Sequence, residues 1–227
     1  MTLAGKVAIV TGGSGGIGRV IVQALQAAGA TAISLDVVNA DVECDVRDDA
    51  SVARAIAQVE DTYERVDIAV HAAGIARDGV VWKLSVDDWD AVQQVNLRGA
   101  FLLIRHAVPA MRRAGAGQIV LIGSINGARG KAGTAAYSAS KAGLLGLAKS
   151  VARETGRFGI NVNVIEPGWV RTPMTEAVAQ PVRDAALAET LLGELVEPED
   201  VAAAVVFLAA AHRITGQTLR VDAGQYL

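Results

Sequence analysis

Val7-Ala8-Ile9-Val10-Thr11-Gly12-Gly13-Ser14-Gly15-Gly16-Ile17-Gly18 is an apolar, β-branched run that turns through a cluster of glycines and opens a helical pattern from Gly18 to Ala28, stopped at Gly29. A strand, a tight turn and a helix in that order gather free backbone N–H groups and the positive end of a helix dipole at one point. Such a point favours an anion, and glycine lets the backbone approach it closely. The turn reads in two frames, Gly13-x-Gly15-x-x-Gly18 and Thr11-Gly12-x-x-x-Gly16-x-Gly18, both patterns of dinucleotide-binding turns. Gly12, Ser14, Gly15, Gly16, Ile17 and Gly18 are therefore the candidates for holding a pyrophosphate.

Outward from this turn, short apolar runs recur at Thr31–Leu35, Val42–Cys44, Asp67–Val70, Gln118–Ile122, Ile160–Ile165 and Thr218–Val221. Helical stretches separate most of them: Ala50–Glu64, Val86–Arg113 with Pro109 inside, Thr134–Thr155, and Pro198–Ala211, whose Glu197-Pro198-Glu199-Asp200 start suits the positive dipole end. The runs do not alternate with polar residues, as expected when helices cover both faces of a sheet. The pattern predicts one α/β domain over residues 1–227, Rossmann-like and doubly wound, with a parallel seven-stranded sheet and helices on both faces. Residues 171–197 form the one long stretch without a strand. Lying past a strand's C-terminal end, they are expected to form a substrate lid.

Composition narrows the partners. The 227 residues are 52% hydrophobic with a net charge of −3, so a nucleic-acid or anionic-membrane partner is not expected. Cys44 is the only cysteine, which excludes an internal disulfide and a thiolate metal knuckle and fits a reducing, cytoplasmic setting. The N-terminal apolar run is far too short for a signal peptide or a membrane span. His71, His106 and His212 are scattered, so no metal site is expected.

Asp36 closes the second run, 24 residues past Gly12, where an acid accepts hydrogen bonds from the adenosine ribose and repels a 2′-phosphate. Position 37 is Val and position 15 is Gly, so no cation stands nearby in sequence to favour NADP, and NAD is the expected cofactor. Asp45 and Val46 follow the third run. Asp45 is placed to accept from the adenine amino group or, about as readily, to cap the next helix.

The chemistry-bearing residues lie in the second half. Ser124 follows the Gln118–Ile122 run, and thirteen residues later comes Tyr137-Ser138-Ala139-Ser140-Lys141 at a helix start. Four apart on a helix, Tyr137 and Lys141 share one face. A free tyrosine titrates near 10, but an ammonium ~4 Å away at an effective dielectric near 20 is worth ~4 kcal/mol, or about three pKa units. Tyr137 is then expected to work as an acid/base near neutral pH, with Ser124 holding the substrate oxygen.

Thr11 to Gly18, Asp36, Asn96 in VNLRG, Ser124, Tyr137-x-x-x-Lys141, Pro167-Gly168 in EPGWVRTPM and the closing ITGQTLRVDAG, in this order and spacing, resemble the short-chain dehydrogenase/reductase family along the whole chain. The resemblance implies a Ser124–Tyr137–Lys141 triad, with Lys141 also gripping the nicotinamide ribose. It implies a helix kink at Asn96 that holds a water and passes the proton outward from Lys141. It implies that Pro167, Gly168, Val170 and Thr172 lie along the nicotinamide, with Trp169 near the substrate, and that Ala73 and Gly74 face the cofactor. It also implies a homotetramer.

Where the family usually has Asn-Asn-Ala-Gly, this chain has His71-Ala72-Ala73-Gly74; a histidine here can keep a structural hydrogen bond and is expected to make adenosine-side binding mildly pH-sensitive. The chain is also short for the family between Asp36 and Asp45 and between Thr172 and Pro198, which argues against a bulky substrate. The leading expectation is an NAD-dependent oxidoreductase acting on a small-molecule secondary alcohol or ketone. The alternatives are 3-oxoacyl thioester reduction, cyclic diol oxidation and, in a different class, a non-catalytic cofactor-binding subunit.

Overall fold

The computed structural model describes residues 2–176 and 178–227. Seven parallel strands, β1 (Val7–Thr11), β2 (Thr31–Asp36), β3 (Val42–Glu43), β4 (Ile68–His71), β5 (Gly117–Ile122), β6 (Ile160–Pro167) and β7 (Thr218–Val221), form one sheet in the order β3-β2-β1-β4-β5-β6-β7. The helices are α1 (Gly16–Ala27), α2 (Asp49–Tyr63), α3 (Val86–Gln93), α4 (Gly99–Ala114), α5 (Ile125–Arg129), α6 (Ala135–Thr155), α7 (Pro173–Glu176), α8 (Gln180–Ala188) and α9 (Pro198–Ala210). Winding runs outward from β1 to β3, then restarts on the other side of β1 at β4. The C-terminal ends of β1 and β4 therefore flank a crevice at the switch point.

Successive strand residues point to opposite faces, and the core divides accordingly. Val7 and Ile9 of β1 pack with Ile119 and Leu121 of β5 beneath α2, α4 and α6. Ala8 and Val10 pack with Val120 and Ile122 beneath α1 and α9. All six residues of β5 are buried, so the sheet is covered on both sides as its unalternating runs require. β7 departs most: Thr218, Leu219 and Arg220 are exposed at the sheet's outer edge.

Three elements differ from the sequence expectation. The single helix expected over Val86–Arg113 is α3 and α4 joined by a π-helical turn at Gln94–Arg98, which carries Asn96, and α4 runs through Pro109. The third strand ends at Glu43 rather than Cys44. Residues 37–41 are too few for a helical return, so β3 joins β2 only at its end, with Leu35 opposite Val42 and Asp36 opposite Glu43. Below that point the Asp41 carboxylate covers the strand edge, accepting from Ser34 N at 2.8 Å and Ser34 Oγ at 2.7 Å. Third, the stretch 171–197 holds α7 and α8, and its last turns meet Val170 through a single bridge to Val196.

Candidate active site

At the end of β1 the glycines are sterically required. Gly12 has φ +68°, and a Cβ on it would stand 2.6 Å from Ala73 N; one on Gly18 would stand 2.0 Å from the Gly12 carbonyl oxygen. The loop is thus pressed between α1 and the end of β4. Gly15, the N-cap of α1, offers no side chain, and the first helical bond is Arg19 N to Gly15 O at 2.8 Å. Among the described residues the N–H groups of Gly16, Ile17 and Gly18 have no protein acceptor. These uncapped donors at a dipole's positive end fit a pyrophosphate, which the residues of this loop would hold. Gly18→Ala is expected to weaken dinucleotide binding by about tenfold or more, equivalent to ~1.4 kcal/mol. Fluorescence titration checks this, and unchanged affinity would show that the loop can open.

Asp36 ends β2 beside this loop. Its Oδ2 accepts from Ser14 N at 3.1 Å and its Oδ1 from Val37 N at 2.8 Å, while Ser14 Oγ donates to Asn39 O at 2.8 Å. A carboxylate has about four lone-pair sites, so two remain to accept ribose hydroxyls. Among the described residues no Lys, Arg or His nitrogen lies within 4.0 Å of it, the limit for an ion pair. Asp45 is differently placed: Arg47 Nε and Nη2 hold its carboxylate at 2.7–3.1 Å and keep its pKa below the usual range. The cap of α2 is Asp48, which accepts from Ala50 N and Ser51 N. Val46 is buried against Gly99.

His71 ends β4 with no solvent exposure. Its Nδ1 lies 2.9 Å from Thr11 Oγ1, tying β1 to β4 at the switch point, and its Nε2 has no partner in ordinary hydrogen-bond geometry although the carbonyls of Val95 and Asn96 lie nearby. Burial, reinforced by the Lys141 ammonium, pushes its pKa down to about 3. His71 is therefore neutral at physiological pH, and the expected pH-sensitive binding does not follow. The pH dependence falls on stability instead. The unfolded histidine takes up a proton below about 6.5 and the folded one does not, so stability drops as pH falls from 6.5 towards 3. Between pH 6.5 and 5 the loss is ~2 kcal/mol. His71→Asn should flatten this slope in thermal melts, and an unchanged slope would place the sensitivity elsewhere.

The π turn has a specific use. It buries Asn96, whose Oδ1 accepts from Ile75 N at 2.8 Å and whose Nδ2 donates to Ile75 O at 3.0 Å and Ser140 Oγ at 3.0 Å. Ser140 Oγ in turn donates to Tyr137 O at 2.7 Å. Asn96 thus pins the loop following β4 to the start of α6. π turns of this kind recur at functional sites. Gly74 closes the same corner, where a Cβ would stand 3.4 Å from Lys141 Nζ and 3.5 Å from Asn96 Oδ1. Ser124 is buried and caps α5, accepting from Asn126 N at 3.2 Å.

Tyr137 and Lys141 share a face of α6 as expected, but not the expected electrostatics. Lys141 Nζ stands 5.5 Å from the centroid of the Tyr137 ring, over its face, and donates to Ile122 O at 2.8 Å. Burial lowers the Lys141 pKa to about 8. Burial likewise raises that of Tyr137; the Ser124 hydroxyl, close by though not in ordinary hydrogen-bond geometry, offsets part of the rise, and the Asp78 carboxylate adds to it. In the chain alone the Tyr137 pKa is therefore raised rather than lowered, and the three-unit lowering expected from the Lys141 ammonium is absent.

Past β6, Gly168 N donates to Val221 O at 2.9 Å, and a Cβ on Gly168 would meet Asp222 at 2.9 Å. Val170 is buried. Thr172 turns on itself, its Oγ1 3.1 Å from Thr175 Oγ1. The glycine loop, Asp36, Ala73, Gly74, Ser124, Tyr137, Lys141 and Pro167–Thr172 thus converge on the C-terminal edge of the sheet, whereas the Asp45 carboxylate is engaged by its own neighbour. Sequence reading missed Ser140 and Gln225, whose Oε1 accepts from Trp169 N at 2.9 Å. Nothing in the sequence around Gln225 signals that contact.

A nucleotide-binding crevice beside a Ser–Tyr–Lys cluster defines a class of protein, and comparison with known proteins specifies it. A family model described as enoyl-(acyl carrier protein) reductase matches residues 12–225. The chain belongs to the short-chain dehydrogenase/reductase family; it is an oxidoreductase that acts on a CH–OH or keto group with a nicotinamide cofactor. It is 39% identical to the 3-oxoacyl-[acyl-carrier-protein] reductase FabG of Salmonella typhimurium, with all of both chains covered. It is also 39% identical to the acetoacetyl-CoA reductase of Synechocystis sp., covering 97% of this chain and 96% of the relative. Among solved structures, that of gox2181 superposes with a TM-score of 0.95 at 34% identity, covering 99% of this chain and 96% of the other. Among the described residues no helix is long and apolar enough to cross a membrane, and no cluster of His, Cys, Asp and Glu suits a metal.

Proposed function

We propose that this chain is an NAD-dependent oxidoreductase that interconverts a secondary alcohol and its ketone, with Tyr137 as the acid/base. The observation that carries the cofactor choice is Asp36, a carboxylate at the end of β2, bonded to the glycine loop and, among the described residues, unmatched by any cation within ion-pair distance. Gly12, Ser14 to Gly18, Asp36, Val46, Ala73, Gly74, Pro167, Gly168, Val170 and Thr172 would hold the dinucleotide. The Asp45 carboxylate, committed to Arg47, contributes less than its position in sequence suggests. When bound, the nicotinamide supplies or accepts the hydride.

The chain's own residues handle the oxygen and its proton. Ser124 Oγ donates to the carbonyl oxygen of the ketone, and the Tyr137 hydroxyl gives that oxygen its proton as the carbonyl carbon is reduced; oxidation runs the same transfer backwards. Below pH 8 Lys141 is an ammonium, which favours the phenolate left on Tyr137. Asn96 acts one step back, fixing α6 through Ser140. An intact triad in one corner supports a working enzyme over a non-catalytic subunit.

A second reading concerns the substrate. Relatives 35–39% identical over nearly the whole chain are named as reductases of 3-oxoacyl or acetoacetyl thioesters, which favours a 3-oxoacyl thioester as the ketone. Acetoacetyl-CoA should oxidise NADH in the presence of the protein. No turnover of it, with turnover of a cyclic diol and NAD, would move the substrate to the other branch.

A homotetramer fits the exposed apolar residues. Phe101 stands 46% exposed beside Leu97 and Leu147 on the outer face of α4 and α6, and Phe207 and Leu219 are exposed along α9 and β7. Phe101→Glu should split the assembly in light scattering, and a wild-type monomer would overturn the assignment. Cys44 is buried, its thiol pushed up to about 11, mainly by desolvation, so it is unreactive and suits a reducing cytoplasm. The segment 171–197 serves as the substrate lid.

A further inference from the structure

One polar network joins the segments around the substrate side of the crevice, and none of its members belongs to the triad or to the cofactor set. Arg129, at the end of the short helix that Ser124 caps, pairs through Nη1 with Glu189 Oε2 at 2.9 Å. The same carboxylate oxygen accepts from Gln225 Nε2 at 2.8 Å, and Gln225 Oε1 accepts from Trp169 N at 2.9 Å. Glu189 caps the C-terminus of α8, Gln225 lies in the C-terminal tail and Trp169 follows β6. Two further bonds run alongside: Leu191 N and Leu192 N both donate to Ala223 O, at 3.0 and 3.1 Å. Arg129 is also braced at Asn126 Oδ1, while Lys131 Nζ stands 5.1 Å over the Trp169 ring. Gln225 is 8% exposed, so its own amide is shielded from water.

We propose that Gln225 and the Arg129–Glu189 pair are positioning residues for substrate. They hold the end of α8 against both the Ser124-bearing turn and the Trp169 backbone, and so fix the wall of the entrance through which the ketone reaches Tyr137. This rests on the assignment of Ser124 and Tyr137 as the groups that meet substrate. The network touches neither the glycine loop nor Asp36, and meets the cofactor stretch only at Trp169 N, between Gly168 and Val170, so its loss acts first on ketone binding and less on dinucleotide binding. Glu189 is partly exposed, which keeps each bond modest.

Glu189→Gln and Gln225→Ala test it in the full-length protein, with acetoacetyl-CoA as the ketone. The expected result is a KM for the thioester raised about three- to tenfold, with a much smaller change in kcat and, in Glu189→Gln, an NADH affinity within a factor of about two of the wild type. Exchanging the charges, Arg129→Glu with Glu189→Arg, should recover part of the loss seen in Arg129→Glu alone. Amide hydrogen exchange gives a readout independent of turnover: Leu191 and Leu192 should lose protection in Glu189→Gln. Unchanged exchange, or a fall in kcat without a rise in KM, overturns the proposal. Faster exchange in a protein whose wild type does not reduce acetoacetyl-CoA would keep the network and refute the thioester reading.

Discussion

Tyr137→Phe is expected to lower turnover by about 10³-fold, within the span of general acid–base catalysis, while NADH binding stays within a factor of about two. The ring, and with it the contact beneath Lys141, is kept, and only the hydroxyl that exchanges the proton is lost. Because burial holds the Tyr137 proton more tightly in the chain alone, the phenolate needs help at the moment of transfer. Lys141 is the group placed to give it. A Tyr137→Phe protein retaining near-normal turnover would remove Tyr137 from the reaction.

The second large effect concerns the adenosine end. Asp36→Asn keeps the side chain's shape and one acceptor but removes the charge. Two like unit charges about 6 Å apart at an effective dielectric near 20 repel by ~3 kcal/mol, about a hundredfold in affinity. A 2′-phosphate set beside Asp36 would feel a repulsion of this order, reduced by screening. Asp36→Asn should therefore bind NADPH about ten- to a hundredfold more tightly than the wild type, with NADH weakened. An NADH-to-NADPH ratio equal to that of the wild type would mean that another residue makes the selection.

Much of this arrangement is legible in the sequence because single residue types leave little freedom. Gly12 and Gly18 can only be glycine where the loop meets Ala73 and itself, and short β-branched runs without alternation, set between helical stretches, fit strands covered on both faces, as the inner runs prove to be, unlike the edge run Thr218–Val221. The helical pattern alone does not show the π turn, although the family resemblance implies a kink at Asn96: Val86 to Arg113 carries an unbroken helical pattern, and the extra residue is selected by what Asn96 reaches at Ile75 and Ser140, contacts 21 and 44 positions away. The same limit applies to Tyr137. Its spacing from Lys141 predicts proximity, but whether an ammonium faces the oxygen or the ring depends on Ile122 O, which captures it. Asp45 reads as a ligand residue until Arg47, two residues on, is seen to close on it.

The cofactor is the centre of the account, and separate fluorescence titrations of the purified protein with NADH and NADPH test it most directly. The account predicts NADH binding at least tenfold tighter, the cost of placing a 2′-phosphate against the Asp36 carboxylate with no cation beside it. Tighter binding of NADPH would contradict it and place the 2′-phosphate site on residues other than Asp36.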